Sequence, residues 1–469
     1  MALAVWNCGG GEDGGGAVPI GGGNSNDSSD SGGDANTNGN ENSNDTDVVA
    51  ATPADRALTT AGLLSVPLGD GVATLQYVTY GDPEGGTQPL YVHSGGPDLA
   101  AAEALATFIS SLDPDALNAL LREYDLVALD RVGVGSSPQI DCEWDVDGSS
   151  PESTLRAAAD AYATECRSSF SQVFEEMDTE RYAQDVDRLR AQLGFERFNF
   201  FGTGYGAQLA LTYAALFPNS RRLLVLEAPP DPRLNFAEAA TERVAALGGA
   251  LDGFFDFCDS DTNCPFGAGA GNTVVAFDRL YGRLASPVTS RTAFERMVVA
   301  GVSDARNWPA FASELADLDS GTATPAEPLD PNPGLTDGAL YATACADAPI
   351  DSIADLRDTE EAIEAGAAVF RRELYASLFP CESWDAVTPA IDWESVLGGL
   401  FNVMVVTADG DPIVPKAVSD SLLSGISSVS EVNSSDFSHG FGLRGVNSCV
   451  DNAILGFLVE GLSQDTECP

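Results

Sequence analysis

From about residue 60 onward, short apolar runs alternate with stretches of helical periodicity, and this alternation restricts the fold more than any other feature of the chain. The runs TLQYVTYG, PLYVHSGG, YDLVALD, RFNFFG, RLLVLEAP and FNVMVVTADGD have the length and residue types of buried strands. Between them lie LAAAEALATFISSL, RYAQDVDRLRAQLG and AQLALTYAALF, which repeat apolar residues at helical spacing. In the second of these Tyr182, Val186, Leu189 and Leu193 share one face and the charges lie opposite. Strands buried on both sides and joined by helices pack as a mostly parallel sheet with helices on both faces, so the expected class is α/β. Residues 231–398 interrupt the alternation. They read as several helices, with loops rich in Pro, Asp and Thr around 318–336, and are expected to form a helical lid over the carboxyl edge of the sheet. The core is then expected in two parts, 56–230 and 399–469.

The amino-terminal region has a different physical character. Residues 9–55 are mostly Gly, Ser, Asn and Asp, too polar to offset the entropy of ordering, and read as a disordered tether. A flexible coil of about 40 residues spans roughly 35 Å. Residues 1–8, MALAVWNC, resemble the end of a lipoprotein-type signal, shorter than a full one, with Cys8 as the residue that would carry the lipid. No run of apolar residues is long enough to span a bilayer, so any membrane contact is expected only through a lipid anchor at Cys8. The formal net charge is -48, from 71 acidic against 23 basic residues, with Lys416 as the only lysine. Such a surface repels phosphate backbones and argues against nucleic-acid binding. It suits solubility in a salty or extracellular medium.

Eight of the nine cysteines fall in the region expected to fold, as four close pairs: Cys142 and Cys166, Cys258 and Cys264, Cys345 and Cys381, Cys449 and Cys468. In an exported protein this suggests four disulfides, although other connectivities remain open. The chain has no CxxC spacing and only two histidines, so neither a metal nor another cofactor is expected.

Three positions point to one site. The segment NFFGTGYGAQLALTYAALFP, residues 199–218, has a strand, a Gly-x-x-x-Gly turn and a helix, the frame of a nucleophile elbow. Where a serine belongs, between Thr203 and Tyr205, stands Gly204. Asp411 in VVTADGDPIVP ends a strand, and His439 in DFSHGFG precedes the last helix. Singly, the first reads as a turn former and the second as a stray histidine. In the order elbow, acid, histidine they match the triads of α/β-hydrolases. There the histidine takes the nucleophile's proton and the acid holds the imidazole tautomer.

From residue 60 to the end the chain resembles the tripeptidyl and prolyl aminopeptidase branch of the α/β-hydrolases. HSGGPD is similar to that family's oxyanion loop, and YDLVALDRVGVGSS to its Asp-x-Arg-Gly-x-Gly-x-Ser segment. YATACADAP, TADGDPIVP and SHGFGLRGVNSCVDNAILGFLVEGLSQDTECP resemble its later segments. The resemblance implies the α/β-hydrolase fold, peptide or small-ester substrates, Asp411 as triad acid, His439 as base, and an oxyanion hole built by the N–H groups of Tyr205 and the Gly95–Gly96 loop. It also implies a secreted or envelope-anchored bacterial protein. The departures are specific. Gly204 takes the nucleophile's place, Asp98 the last glycine of the oxyanion loop, and Val132 the arginine after the strand. Thr203 is one residue off the apex. A carboxylate facing the oxyanion site from 4 Å would oppose it by about 4 kcal/mol. The expectation is an aminopeptidase-type protein with impaired or absent activity. Two alternatives stand beside it, an active peptidase or esterase using another nucleophile or water, and a non-catalytic peptide-binding module. Oligomeric state is not legible.

Overall fold

The computed structural model describes residues 52–469 except 83, 86–87, 136, 138, 141, 143, 145–149, 268, 285–287, 325–336, 349–368 and 385–390. The signal-like segment, Cys8 and nearly all of the expected tether therefore lie outside the described residues. Within the last residues of the expected tether, the described residues start at Thr52. Its hydroxyl accepts from Asp55 N, and Asp55 Oδ2 accepts from Thr52 N at 2.8 Å, which caps the short helix α1 (Pro53–Arg56).

A nine-stranded sheet in the order β1-β2-β4-β3-β5-β6-β7-β8-β9 organises the chain. Its strands are β1 (Leu58–Leu68), β2 (Gly71–Gly81), β3 (Gln88–His93), β4 (Tyr124–Leu129), β5 (Phe198–Thr203), β6 (Arg221–Glu227), β7 (Val403–Ala408), β8 (Ser430–Ser434) and β9 (Thr466–Cys468). Only the β1–β2 and β2–β4 pairings are antiparallel; from β4 through β3 to β9 every pairing is parallel.

The pleat divides the buried residues between two layers. Leu90 and Val92 of β3 and Met404 and Val406 of β7 pack with α2 (Ala101–Ser111), α3 (Pro114–Glu123) and the helix Ser448–Leu455. Tyr91, Val403 and Val405 face the opposite layer, with α4 (Glu152–Phe174), α5 (Thr179–Leu193) and α6 (Tyr205–Leu216). In α5 Tyr182, Val186 and Leu189 are fully buried, as the periodicity requires, and Leu193 packs partly buried at the end. Gly194 in the left-handed region closes the helix.

Between β6 and β7 the chain leaves the sheet for a helical insertion. Among the described residues it comprises α7 (Phe236–Ser260), α8 (Asn272–Leu284), α9 (Val288–Val302), α10 (Trp308–Ser320), α11 (Asp337–Asp347) and four short helical segments. Its aromatic side chains continue the core next to α5 and α6. All four expected disulfides are formed: Cys142–Cys166, Cys258–Cys264, Cys345–Cys381 and Cys449–Cys468. The third staples α11 to the short helix Phe379–Glu382, and the fourth fixes β9 to the helix Ser448–Leu455. Among the described residues no helix is long and apolar enough to cross a membrane.

Candidate functional site

The site forms where β5 turns into α6. Gly204 has φ 57° and ψ −116°, a backbone region that disfavours side chains. The flanking glycines are required by close approach. A Cβ on Gly202 would lie 2.2 Å from the carbonyl oxygen of Gly206, and one on Gly206 would lie 1.9 Å from that of His93. The Gly-x-x-x-Gly pattern thus marks two backbones pressed together under the turn, while Gly204 forms its apex.

The other two candidates meet at that apex. Asp411 follows β7, and its Oδ1 accepts from Ile413 N at 2.8 Å and Val414 N at 3.0 Å. Its Oδ2 lies 2.7 Å from His439 Nδ1, and both side chains are buried. Nδ1 therefore faces the carboxylate, and Nε2 faces the turn. A Cβ built on Gly204 would stand 3.2 Å from Nε2. The structure thus brings Gly204, Asp411 and His439 together. Gly95 and Gly96 follow β3, whose His93 is in register with Gly202, so their loop runs alongside the turn. Tyr205 heads α6 beside it. Asp98, in the same loop, is buried.

Thr203 points elsewhere. Its Oγ1 donates to Glu227 Oε2 at 2.7 Å, at the end of β6. The same buried carboxylate accepts from Gly442 N at 2.7 Å through Oε1, and the Glu227 carbonyl accepts from Gly204 N at 2.9 Å. Glu227 therefore clamps the apex turn to the histidine loop. Nothing in RLLVLEAP marks this role, because both partners lie far away in sequence. The insertion holds the histidine loop from the other side. Ser438 Oγ donates to Asp304 Oδ1 at 3.2 Å, Ala305 N donates to Phe437 O at 3.1 Å, and Phe437 packs on Trp308 with ring centroids 5.6 Å apart.

Val132 and its neighbour Arg131 point into different surroundings. Val132 is buried in the apolar core, whereas the Arg131 guanidinium donates to Tyr205 Oη at 2.9 Å, to Pro97 O at 3.4 Å and to Met177 O. Beyond it the Tyr205 and Thr179 hydroxyls are 2.8 Å apart, and Asp347 accepts from Thr179 N at 2.9 Å and Oγ1 at 2.6 Å and from Gln208 Nε2 at 3.1 Å. Burial lifts the Asp347 carboxyl to about 7, against the pull of those hydrogen bonds and of Arg131. Asp347, Tyr205, Pro97 and Asp231 line a cavity of about 50 Å³ beside the apex.

The second histidine is not a competing base. His93 is buried edge-on between the rings of Tyr182 and Tyr205, at 5.9 and 5.5 Å. Burial, reinforced by the Arg131 charge, pushes it down to about 3, so it stays neutral at any ordinary pH. Among the described residues no cluster of His, Cys, Asp or Glu could hold a metal ion.

A mostly parallel sheet with antiparallel first strands, an apex turn after β5, an acid after β7 and a histidine before the last helix define a hydrolase-type architecture. The family model described as alpha/beta hydrolase fold matches residues 88–443, well over half of the chain, and this protein belongs to that family. Among curated relatives it is 26% identical over 252 residues to the serine protease Hip1 of Mycobacterium tuberculosis (strain ATCC 25618 / H37Rv), covering 49% of this chain and 47% of that protein. It is 32% identical over 123 residues to the tripeptidyl aminopeptidase of Streptomyces lividans, 24% of this chain and 23% of that one. It is also 23% identical over 404 residues to the putative hydrolase YuaR of Escherichia coli (strain K12), covering 80% and 78%. The match to Hip1 spans about half the length of that relative.

Proposed function

We propose that this chain is an exported, peptide-handling protein of the aminopeptidase type whose apex turn lacks a nucleophile. The observation that carries the reading is the Asp411–His439 pair, 2.7 Å apart, aimed at a glycine in the elbow conformation. In this reading Asp411 orients His439, the N–H groups of Tyr205 and of Gly95–Gly96 form the oxyanion hole, and Gly204 stands where the attacking hydroxyl belongs. Without that oxygen no acyl-enzyme forms at the turn. Loss of the nucleophile from a serine-protease triad costs about 10⁶-fold, leaving only the ~10³ to 10⁴ over water that comes from binding and oxyanion contacts. Thr203 does not substitute, because its hydroxyl is committed to Glu227.

The peptidase names of the relatives support peptide or small-ester ligands, and four disulfides support an oxidising compartment. An envelope anchor at Cys8 belongs to the same proposal. Metabolic labelling with a palmitate analogue tests it, and absence of label on the exported protein removes the anchor. The catalytic claim is tested with peptide p-nitroanilides and a fluorophosphonate reagent. The expected result is neither turnover above ~10⁻² s⁻¹ nor covalent labelling. Turnover at ordinary enzyme rates of roughly 1 to 10³ s⁻¹ overturns it.

A further inference from the structure

Arg243 on α7 is almost completely buried, yet Nε, Nη1 and Nη2 have no hydrogen-bond partner among the described residues. A guanidinium carries five N–H donors, and leaving them unsatisfied in the interior is costly. Most buried arginines are paired, so this one calls for an anion that the described residues do not provide. Asp411 is close enough for its charge to act on Arg243, but Asp411 Oδ1 is held by Ile413 N and Val414 N and Oδ2 by His439. Burial lowers Arg243 to about 9, which leaves it cationic at neutral pH.

Arg243 is one of the residues around a cavity of about 30 Å³, although its three guanidinium nitrogens are themselves buried, so a ligand there reaches them only after a small side-chain adjustment. One water needs about 10–15 Å³, so the space suits a group of roughly carboxylate size. Its walls are apolar (Phe236, Leu374, Ile413 and Val418), with Ser377 as the other polar lining residue. Phe236, Ala239 and Val418 also line the cavity that contains Tyr205 and Asp347, so the two spaces adjoin. The second space reaches Tyr205, the residue that follows the apex glycine.

We propose that Arg243 is a carboxylate-binding residue, and that the cavity receives the free carboxylate of a small ligand with an apolar body, foremost the C-terminus of a short peptide. The peptide identity rests on the function proposed above; the carboxylate preference does not. A planar guanidinium pairs bidentately with a carboxylate, and a charge-assisted pair of this kind discriminates by about tenfold to a hundredfold against a neutral isostere.

The test is calorimetric titration of the intact protein with three ligands: an N-acetylated tripeptide acid of apolar residues, its C-terminal amide, and hexanoate. The expected result is that the peptide acid binds at least tenfold tighter than the amide, and that Arg243→Met erases the difference. Equal affinity for acid and amide in the unaltered protein overturns the proposal without recourse to any variant, as does a preference that survives Arg243→Met, or no binding of either acid. Hexanoate binding as tightly as the peptide acid keeps the carboxylate site but removes the peptide, and with it the peptide-handling reading. The melting temperature supplies a separate readout. Replacing an unpaired buried cation by an apolar chain of similar length is expected to leave it unchanged or raise it. A large fall in the ligand-free protein assigns Arg243 a structural role instead.

Discussion

Replacing Gly204 by serine tests the site most directly. The added Cβ lies 3.2 Å from His439 Nε2 and 3.4 Å from Cε1, tighter than ordinary contact, so the imidazole must shift by about a few tenths of an ångström. The serine must also hold φ 57°, ψ −116°, which costs about 1–3 kcal/mol in folding stability. In return its Oγ, one bond beyond Cβ, comes within hydrogen-bonding reach of Nε2, the geometry general-base activation needs. Gly204→Ala separates the two effects, since it carries the strain without the hydroxyl. Both variants are expected to melt a few degrees lower than the parent. Only the serine variant is expected to gain p-nitroanilide turnover, by about 10²-fold or more over the parent, together with fluorophosphonate labelling mapped to position 204. His439→Ala in that background should abolish both. A folded Gly204→Ser protein that neither turns over nor labels refutes the alignment of His439 with the apex. If a further Asp98→Gly change then restores activity, the fault lies in the oxyanion loop instead.

Three further predictions follow from the surroundings of the site. His93, at about 3 when folded against an ordinary 6.5, makes stability rise with pH across that window, while Asp347, at about 7 against 3.8, makes it fall as pH rises from 3.8 to 7. The two oppose each other, so Asp347→Asn is expected to steepen the rise between pH 4.5 and 6.5 by up to about 1.4 kcal/mol per pH unit relative to the parent; urea denaturation at both pH values checks this, and parallel slopes count against it. Glu227→Ala strands the Thr203 hydroxyl and Gly442 N–H, so urea midpoints should report a loss of about 2 kcal/mol or more, and a loss below half of that discounts the clamp. Replacing Cys345 and Cys381 together by alanine should cost about 2–5 kcal/mol, and an unchanged midpoint would mean α11 is held without the bond.

The central strands were legible because burial on both faces writes continuous apolar runs. The three strands that escaped notice lie at the sheet's margins. In β1 the first half is exposed and only Leu64, Val66 and Leu68 are buried, β8 reads Ser-Glu-Val-Asn-Ser, and β9 has three residues. Pairing rather than apolar content makes them strands. In the site, Gly204, Asp411 and His439 stood out because each sits in a local turn with its own signature. Glu227, Arg131, Thr179 and Asp347 did not, since each acts through a partner distant in sequence, and distance along the chain conceals such contacts. The disulfides were legible from spacing because each joins neighbouring cysteines.

Asp304 and Trp308 belong to the insertion, yet they grip Ser438 and Phe437, the two residues immediately before the imidazole. The insertion and the base are thus joined through two adjacent residues, and a displacement of α10 is expected to disturb the seat of the ring against its carboxylate.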